Sequence, residues 1–212
     1  MKIQKFTFNP FQENTYIIYD ESKECIIIDP GCYSDQEKKE LASFIEINKL
    51  KPIKLINTHC HIDHILGNKF VANEWNLELN INELEIPILK SGAEVANIYG
   101  FKEYIACKIP SEFINENDII KFGKSELTVF LTPGHSPGHI SLYSKKHNIL
   151  ISGDVIFRNS IGRTDLPGGN YSTLLKSIKN KILNLPLSTK ILCGHGPTTN
   201  IKEEIENNPF IN

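Results

Sequence analysis

The chain has 212 residues, 40% of them hydrophobic, and a formal net charge of −2 at pH 7. This length predicts one domain over residues 1–212 with a sizeable core, while the lack of a basic tract, a signal peptide or an apolar run of about 18 residues argues against a nucleic-acid partner and a membrane span. The five cysteines are odd in number and form no C-x-x-C pair, so we expect a reduced, cytoplasmic protein rather than a disulfide framework.

The first part of the chain predicts short strands around one helix. Apolar residues that alternate or run continuously predict the strands, and Asp29 opens an Asp-Pro-Gly turn that ends the third of them. Residues 35–49 carry apolar side chains at helical spacing behind early acidic residues, which predicts a helix. The predicted strands lie at 3–8, 15–20, 25–29 and 53–57.

The rest of the chain continues as strands with interspersed helices and a long loop at 155–170. The further predicted strands lie at 126–133, 140–144, 148–154 and 189–194. The further predicted helices lie at 65–75, 82–99, 171–184 and 199–208. This order is rich in strands and repeats in two rough halves, so we expect an α/β (α+β) fold in which sheets pack on each other with helices outside.

A dense cluster of titratable residues follows the strand at 53–57. The segment "NTHCHIDH" contains His59, His61, Asp63 and His64. In an extended chain alternate residues point to one side, so we expect the first three to share a face and His64 to point toward a neighbouring site. Imidazole and carboxylate groups suit Zn²⁺, Fe²⁺ or Mn²⁺. Lone histidines are usually surface residues, but this spacing predicts a metal site.

Three more residues of ligand type follow predicted strands. His135 ends "LTPGH", Asp154 ends "ISGD" and His195 ends "ILCGH", so each comes after an apolar run and a glycine. Groups at the ends of rigid strands are well placed to form a preorganised site. Together with the histidine cluster, they predict two neighbouring metal sites.

These motifs resemble those of the metallo-β-lactamase superfamily, whose signature is H-x-H-x-D-H. Within it, "TPGHSPGH" and "GDVIFRNSIGRTDLPGG" are similar to glyoxalase II-type hydrolases (the hydroxyacylglutathione hydrolases), particularly the short bacterial branch. The resemblance implies an αββα sandwich, in which two mixed β-sheets are flanked by helices. It also implies that one metal is held by His59, His61 and His135, a second by Asp63, His64 and His195, and that Asp154 bridges them.

The activity that the resemblance implies is hydrolysis of a small-molecule thioester such as S-D-lactoylglutathione. Two divalent ions, zinc with iron or manganese as alternatives, would hold a bridging hydroxide, and Asp63 would accept the proton of the attacking water. A thiolate leaves with little acid catalysis, which favours a thioester over an amide. Only residues 196–212 follow His195, so we do not expect the C-terminal helical domain that helps larger hydroxyacylglutathione hydrolases bind glutathione, and the thiol stays open.

Three further residues are candidates for substrate contacts. Arg158 and Arg163 are the only arginines and lie in the loop after Asp154. A planar, bidentate donor suits a substrate carboxylate, although an internal pair of Arg163 with Asp165 would also explain that arginine. Tyr99 lies in a segment that could form a substrate wall, with ordinary helix packing as the alternative.

The sequence also allows other interpretations. The nearest rival activity is a persulfide dioxygenase that shares the fold but uses one iron and O₂; a β-lactamase and a non-catalytic metal-stabilised binding module are further alternatives. Asp29 is a candidate to orient a ligand imidazole, and His139 is expected to support the site without being a ligand. The sequence does not indicate an oligomeric state.

Overall fold

The computed structural model describes residues 1–211. The strands are β1 (Lys2–Phe8), β2 (Glu13–Tyr19), β3 (Glu24–Ile28), β4 (Lys51–Ile56), β5 (Leu79–Asn80), β6 (Ile119–Phe122), β7 (Ser125–Leu131), β8 (Ile140–Ser144), β9 (Ile149–Gly153), β10 (Ile156–Phe157), β11 (Ser160–Ile161), β12 (Lys190–Cys193) and β13 (Thr199–Asn200). The helices are α1 (Asp35–Ile47), α2 (Ile62–Ile65), α3 (Asn68–Glu74), α4 (Ile86–Ile98), α5 (Tyr171–Ser177) and α6 (Ile201–Asn207), with a 3₁₀ turn at Glu83–Glu85 and a π-helical turn at Ile178–Ile182.

The strands form two large mixed sheets and one small hairpin. The first sheet has the order β1-β2-β3-β4-β5, in which β3, β4 and β5 run parallel. The second has the order β13-β12-β9-β8-β7-β6, in which β9 and β12 run parallel. Strands β10 and β11 form the hairpin. The fold expected from the resemblance is confirmed: two mixed sheets lie between layers of helices.

Three apolar layers hold the sandwich together. Tyr16 and Ile18 of β2 point into the layer between the sheets, while Ile17 points outward against helices of the first sheet. Leu150 of β9 packs on the opposite outer layer with Leu174 of α5. Because both faces of β2 and β3 are buried, these strands read as nearly continuous apolar runs rather than as alternating ones.

Helix α1 covers the first sheet and begins at a capping box. The Ser34 hydroxyl accepts a hydrogen bond from the main-chain N–H of Glu37, and the Glu37 carboxylate accepts one from the main-chain N–H of Ser34 at 2.9 Å. Two otherwise unpaired donors are satisfied in this way. Leu41 and Ile45 then bury the inner face of the helix.

The two sheets are also joined directly at one edge. The main-chain N–H of Asn14 donates to the carbonyl of Gly194 at 2.7 Å, and the Tyr16 hydroxyl donates to the carbonyl of Cys193 at 2.7 Å. An isolated β-bridge pairs Glu13 with His195 at the same place. The loops that follow β4, β9 and β12 meet at this edge, and it is where the clustered polar residues lie.

Several predicted boundaries were wrong. The helix expected at 65–75 is divided into α2 and α3, and the loop expected at 155–170 contains the β10–β11 hairpin. The helix expected at 171–184 changes to a π-helical turn after α5, and the one expected at 199–208 opens with β13. Within residues 1–211, no helix combines the length and apolar character needed to cross a membrane.

Candidate metal centre

The histidine cluster begins in the irregular segment after β4 and continues into α2. His59 and His61 precede the helix, whereas Asp63 and His64 lie within its single turn. The expectation that Asp63 shares a face with the two preceding histidines was therefore wrong, because the extended chain ends at His61 and α2 begins at Ile62. The Asp63 carboxylate instead lies next to His195, with Oδ2 3.1 Å from Nε2.

The first group consists of three histidines from both sheets. Nε2 of His135 lies 3.2 Å from Nε2 of His59 and 2.9 Å from Nδ1 of His61. One hydrogen bond joins only two nitrogen atoms, so a single proton cannot give all three of these ring nitrogens a partner. A cation at their centre would accept a lone pair from each, which is the donor set of many zinc sites.

The second group consists of Asp63, His64 and His195, whose donor atoms all lie within 4.8 Å of one another. Nε2 of His64 lies 3.6 Å from Oδ2 of Asp63. Asp154 lies between the two groups: its Oδ2 is 3.5 Å from Nε2 of His135 and 3.4 Å from Nε2 of His195. The carboxylate of Asp154 is thus placed to serve both groups.

The charge distribution differs between the groups. Burial lowers the pKa of His59 strongly and that of His61 to about 3, so both rings are neutral donors at pH 7. Burial also disfavours a charge on His195, but hydrogen bonds with Asp154 and Asp63 outweigh it and raise the pKa of His195 to about 10. A site that attracts a proton this strongly also attracts a divalent cation.

Buried polar atoms at the centre support the same conclusion. Within residues 1–211, Nε2 of His64 and Oδ1 of Asp154 are buried and have no hydrogen-bond partner, although the large majority of buried polar atoms have one. The two atoms lie 3.5 Å apart. The donor types and these buried atoms fit a divalent metal ion.

Contacts outside the centre set the tautomers of two histidines. Nδ1 of His135 lies 2.7 Å from the carbonyl oxygen of Arg163, and Nδ1 of His195 lies 3.1 Å from that of Phe11. A carbonyl only accepts, so each Nδ1 carries a proton, which leaves Nε2 as the atom that would bind a cation at the centre. Arg163 therefore supports the site through its main chain.

Asp29 orients the second group, as the sequence suggested. Its Oδ2 lies 3.2 Å from Nδ1 of His64 and accepts a hydrogen bond from the Thr58 hydroxyl at 2.7 Å. Its Oδ1 accepts one from the main-chain N–H of Thr58, also at 2.7 Å. The Asp29 carboxylate thus joins Thr58, the residue before His59, to the His64 ring.

Glu85 is a functional candidate that the sequence reasoning missed. It is fully buried, and its Oε2 accepts a hydrogen bond from the main-chain N–H of Cys60 at 2.8 Å. Its Oε1 accepts from the main-chain N–H of Gly138 at 2.7 Å and from the Ser136 hydroxyl. Glu85 therefore joins the two loops that carry the first three histidines. A glutamate inside a mostly polar turn gave no sign of this, since its partners are distant main-chain groups.

His139 is likewise buried beside the centre. Its Nδ1 faces the hydroxyl of Thr132 at 3.0 Å, and its Nε2 accepts a hydrogen bond from the main-chain N–H of Asp154 at 3.1 Å. The supporting role that the sequence suggested for this histidine agrees with these contacts.

The three candidates for substrate contact lie in different places. Tyr99 is 52% exposed and lines the cleft above the centre. Arg163 also lines it, but its Nε and Nη2 donate to the two carboxylate oxygens of Asp165 at 2.7 Å each. Arg158 is exposed on the β10–β11 turn and does not line the cleft. The structure thus brings Tyr99 and Arg163 to the cleft and leaves Arg158 outside it.

The cleft itself opens directly onto both groups. It has a volume of about 440 Å³ and its floor includes His61, Asp63, His135, Asp154 and His195. This volume is in the range of small-molecule sites.

Comparisons with known proteins agree with this geometry. A family model described as the metallo-beta-lactamase superfamily matches residues 8–195. The hydroxyacylglutathione hydrolase GloC of Haemophilus influenzae is 35% identical over 214 residues, which cover 100% of this chain and 99% of GloC. The match spans the whole candidate centre and not only the histidine cluster.

Two solved structures are similar over nearly the full chain. The crystal structure of the BLEG-1 B3 metallo-beta-lactamase has a TM-score of 0.90 and 36% identity, with 99% of each chain covered. The crystal structure of TTHA1623 in a di-iron-bound form has a TM-score of 0.87 and 31% identity, with 98% of this chain and 99% of that chain covered. The fold and the clustered histidines and aspartates together indicate a divalent-metal site.

Proposed function

The chain belongs to the metallo-β-lactamase superfamily of hydrolases, and within it we propose that this protein is a dinuclear metal-dependent thioesterase of the glyoxalase II type. The observation that carries the proposal is the convergence of seven side chains of metal-ligand type at one edge of the sandwich, five of which line the floor of the cleft while His59 and His64 lie buried behind them. We assign His59, His61 and His135 to one ion, Asp63, His64 and His195 to the other, and Asp154 to both.

Zinc is the proposed metal, with iron and manganese as the alternatives that the same donors accept. Two divalent ions held there would supply an activated water molecule and polarise the carbonyl of a bound thioester. The whole-chain similarity to a hydroxyacylglutathione hydrolase supports this choice of reaction.

Asp63 is the proposed proton acceptor. Its side chain is 15% exposed and lines the cleft, and it also contacts His195. Burial would raise the pKa of Asp63, but the neighbouring His64 and the hydrogen bond with His195 together outweigh burial, and the pKa lies below its usual value. The group is therefore an ionised carboxylate at neutral pH, and it can take a proton from a water molecule within hydrogen-bond distance.

The remaining cleft residues favour a thioester. Apart from the candidate ligands, the titratable side chains that line the cleft within residues 1–211 are Cys60, Tyr99 and Arg163. Thiols, phenols and guanidinium groups as side-chain types are weak acids at neutral pH and are poorly suited to protonate an amide nitrogen as it leaves. A thiolate leaves without such a proton, so a thioester suits this set of groups.

We also propose a reducing, cytoplasmic location and a small-molecule substrate as the partner. All five cysteines, including the half-buried Cys107, are free thiols. A reducing compartment keeps thiols in this state.

The test is a turnover screen with protein whose metal content has been measured. S-D-lactoylglutathione and other thioesters, a β-lactam, and a persulfide with O₂ uptake are assayed side by side. Thioester hydrolysis that scales with metal content supports the proposal. Oxygen consumption with one iron per chain would instead establish the dioxygenase, and a β-lactam preference would align the protein with BLEG-1.

A further inference from the structure

One wall of the cleft is a stripe on helix α4. Ile88, Gly92 and Val95 lie on one face of the helix and line the cleft, and Tyr99, which caps the end of the helix, continues this line at the same spacing. The stripe offers the cleft aliphatic and aromatic surface, and Tyr99 adds its hydroxyl. Both Ile88 and Val95 are partly exposed within the protein, so a ligand would find apolar surface in contact with water.

The opposite wall comes from the segment after Asp154 and is also apolar. It includes Phe157, Ile161 and Leu166. The ring of Phe157 lies 6.1 Å from that of His195, so this wall begins at the candidate metal centre. Phe11 lies at a third side, where its ring meets that of Tyr99 edge-on at 5.2 Å. A substrate held at the centre would therefore extend between apolar surfaces.

The cleft lacks an available positive side chain. Among residues 1–211, no lysine lines it, and Arg163 is the only charged side chain there that is not a candidate ligand. Both carboxylate oxygens of Asp165 accept hydrogen bonds from Arg163. This pair has no net charge, so a substrate carboxylate would have to displace Asp165 before it gained a partner.

We propose that the cleft binds an uncharged hydrocarbon part of the thioester, next to the reacting carbonyl, rather than an anionic group such as a glutathione carboxylate. This inference rests on the proposed thioesterase function and adds the class of substrate. The hydrocarbon can belong to the acyl half or to the thiol half, because the two walls border the centre on both sides.

Binding without turnover tests the inference separately from the reaction. Zinc-loaded protein is titrated with uncharged S-alkyl thioethers of N-acetylcysteamine that carry two to six carbons. Each buried methylene should lower the dissociation constant by about twofold to fourfold. A dissociation constant that does not change with chain length would overturn the inference, whatever the turnover results.

Turnover then distinguishes the two halves of the substrate. One series lengthens the acyl chain on N-acetylcysteamine, and the other lengthens the alkanethiol of an acetyl thioester. A rise in kcat/KM with length in either series supports the inference and identifies the half. A flat response in both, or a preference above tenfold for the glutathione ester of the same acyl group, would contradict it. If no thioester is hydrolysed while the thioethers bind with increasing affinity, the proposed function fails and the apolar site stands.

Variants on one helix provide the matched control. Val95→Asp places a charge in the α4 wall, and it should remove most of the chain-length dependence of thioether binding. Ile98→Asp makes the same change at a residue that is 71% exposed and does not line the cleft, and should leave binding unchanged. Equal effects of the two variants would exclude the α4 stripe as the binding surface.

A third variant tests the neutralised arginine. Asp165→Asn removes the charge that neutralises Arg163, so kcat/KM for carboxylate-bearing thioesters should rise by up to about fivefold, the effect of roughly one exposed charged contact, while neutral thioesters stay unchanged. No increase for the carboxylate-bearing substrates would show that Asp165 is not what excludes anions.

Discussion

The main-chain N–H of Asp154 donates a hydrogen bond to Nε2 of His139, with 3.1 Å between the two nitrogens. Because Nε2 accepts, the proton of this imidazole is on Nδ1, which faces the hydroxyl of Thr132. His139 is completely buried, and burial lowers its pKa well below the usual value. A neutral histidine of fixed tautomer therefore sets the position of the residue that lies between the two candidate metal groups.

His139→Leu should weaken metal binding without removing a ligand. The N–H of Asp154 would lose its buried acceptor, at a cost of about 1–3 kcal/mol in the free energy of unfolding, and loss of such a supporting contact typically lowers metal affinity about 10- to 100-fold. Chelator competition and denaturant unfolding measure the two effects. His147→Leu, on the turn before β9, is the control and should leave metal affinity unchanged. Wild-type affinity in His139→Leu would show that this contact does not position Asp154.

Asp154→Asn should empty both groups. A neutral amide cannot offer two anionic oxygens, so we expect metal affinity and hydrolysis to fall by more than the roughly 10- to 100-fold that loss of a supporting contact costs, while circular dichroism shows that the fold persists. Asp35→Asn changes a fully exposed aspartate at the start of α1 and serves as the control. Retention of two metal equivalents in Asp154→Asn would mean that the bridge has been assigned to the wrong residue.

Metal analysis should give two equivalents per chain under metal-replete conditions. Chelation should also lower the melting temperature, since a ligand at about 100 times its Kd stabilises the folded state by about 2.7 kcal/mol. Elemental analysis and thermal unfolding of the same samples test both statements. A stoichiometry that stays at one would exclude the dinuclear assignment and favour the mononuclear iron alternative.

Glu85→Gln should affect the two metal groups unequally. Glu85 holds the loops of His59, His61 and His135 because both of its carboxylate oxygens accept hydrogen bonds from main-chain N–H groups. In a glutamine the amide NH₂ group would face one of these N–H groups, at a cost of about 1–3 kcal/mol in the free energy of unfolding. The affinity of the first group should fall more than that of the second. Glu83→Gln, on the exposed side of the same turn, is the matched control. An equal loss at both groups, or none, would contradict the role of Glu85 as a link between these loops.

Asp20 should contribute to stability in a pH-dependent way, far from the metal centre. It accepts hydrogen bonds from Ser22, from the main-chain N–H of Lys124 and from Ser125, and so joins turns of the two sheets. Burial would raise its pKa, but these bonds outweigh burial and hold the pKa well below the usual value. The contribution is therefore complete above the unfolded-state pKa of about 3.9 and is lost as the pH falls through the lower folded-state pKa.

Asp20→Asn accordingly should cost about 1–3 kcal/mol at pH 7, and the difference from the wild type should shrink in acid. Urea unfolding between pH 7 and the acid limit of folding measures it. Glu21→Gln, at the exposed neighbour, should show no such trend. A difference from the wild type that is constant with pH would exclude the carboxylate as its source.

The sequence predicted the elements and residues whose signals are local. The continuous isoleucines of β3 and the close spacing of His59, His61 and His64 are visible in short windows. The carboxylate of Asp63 was assigned to the wrong face because alternation holds only while the chain stays extended, and α2 begins at Ile62. A short sequence segment does not show which residue on a distant loop a side chain contacts.

Two residues illustrate that limit. Glu85 contacts main-chain groups of segments 25 and 53 residues away, and no pattern of residue types indicates such a bond. Arg163 was noticed because arginine is rare in this chain, and its pairing with Asp165, which the sequence offered as an alternative, is confirmed. The contact of its carbonyl oxygen with His135, 28 residues away, was not visible in the sequence. Whether either arginine contacts a substrate remains a prediction.

The candidate ligands are divided between the two sheets, since the cluster follows β4 of the first sheet while His135, Asp154 and His195 follow strands of the second. His195 is also the last of them to leave the ribosome. A nascent chain that has not yet made β12 can therefore assemble the three histidines of the first group but not the complete second group. The second group can therefore be completed only after β12 has been made, at the edge where Asn14 and Tyr16 of the first sheet bond to Gly194 and Cys193.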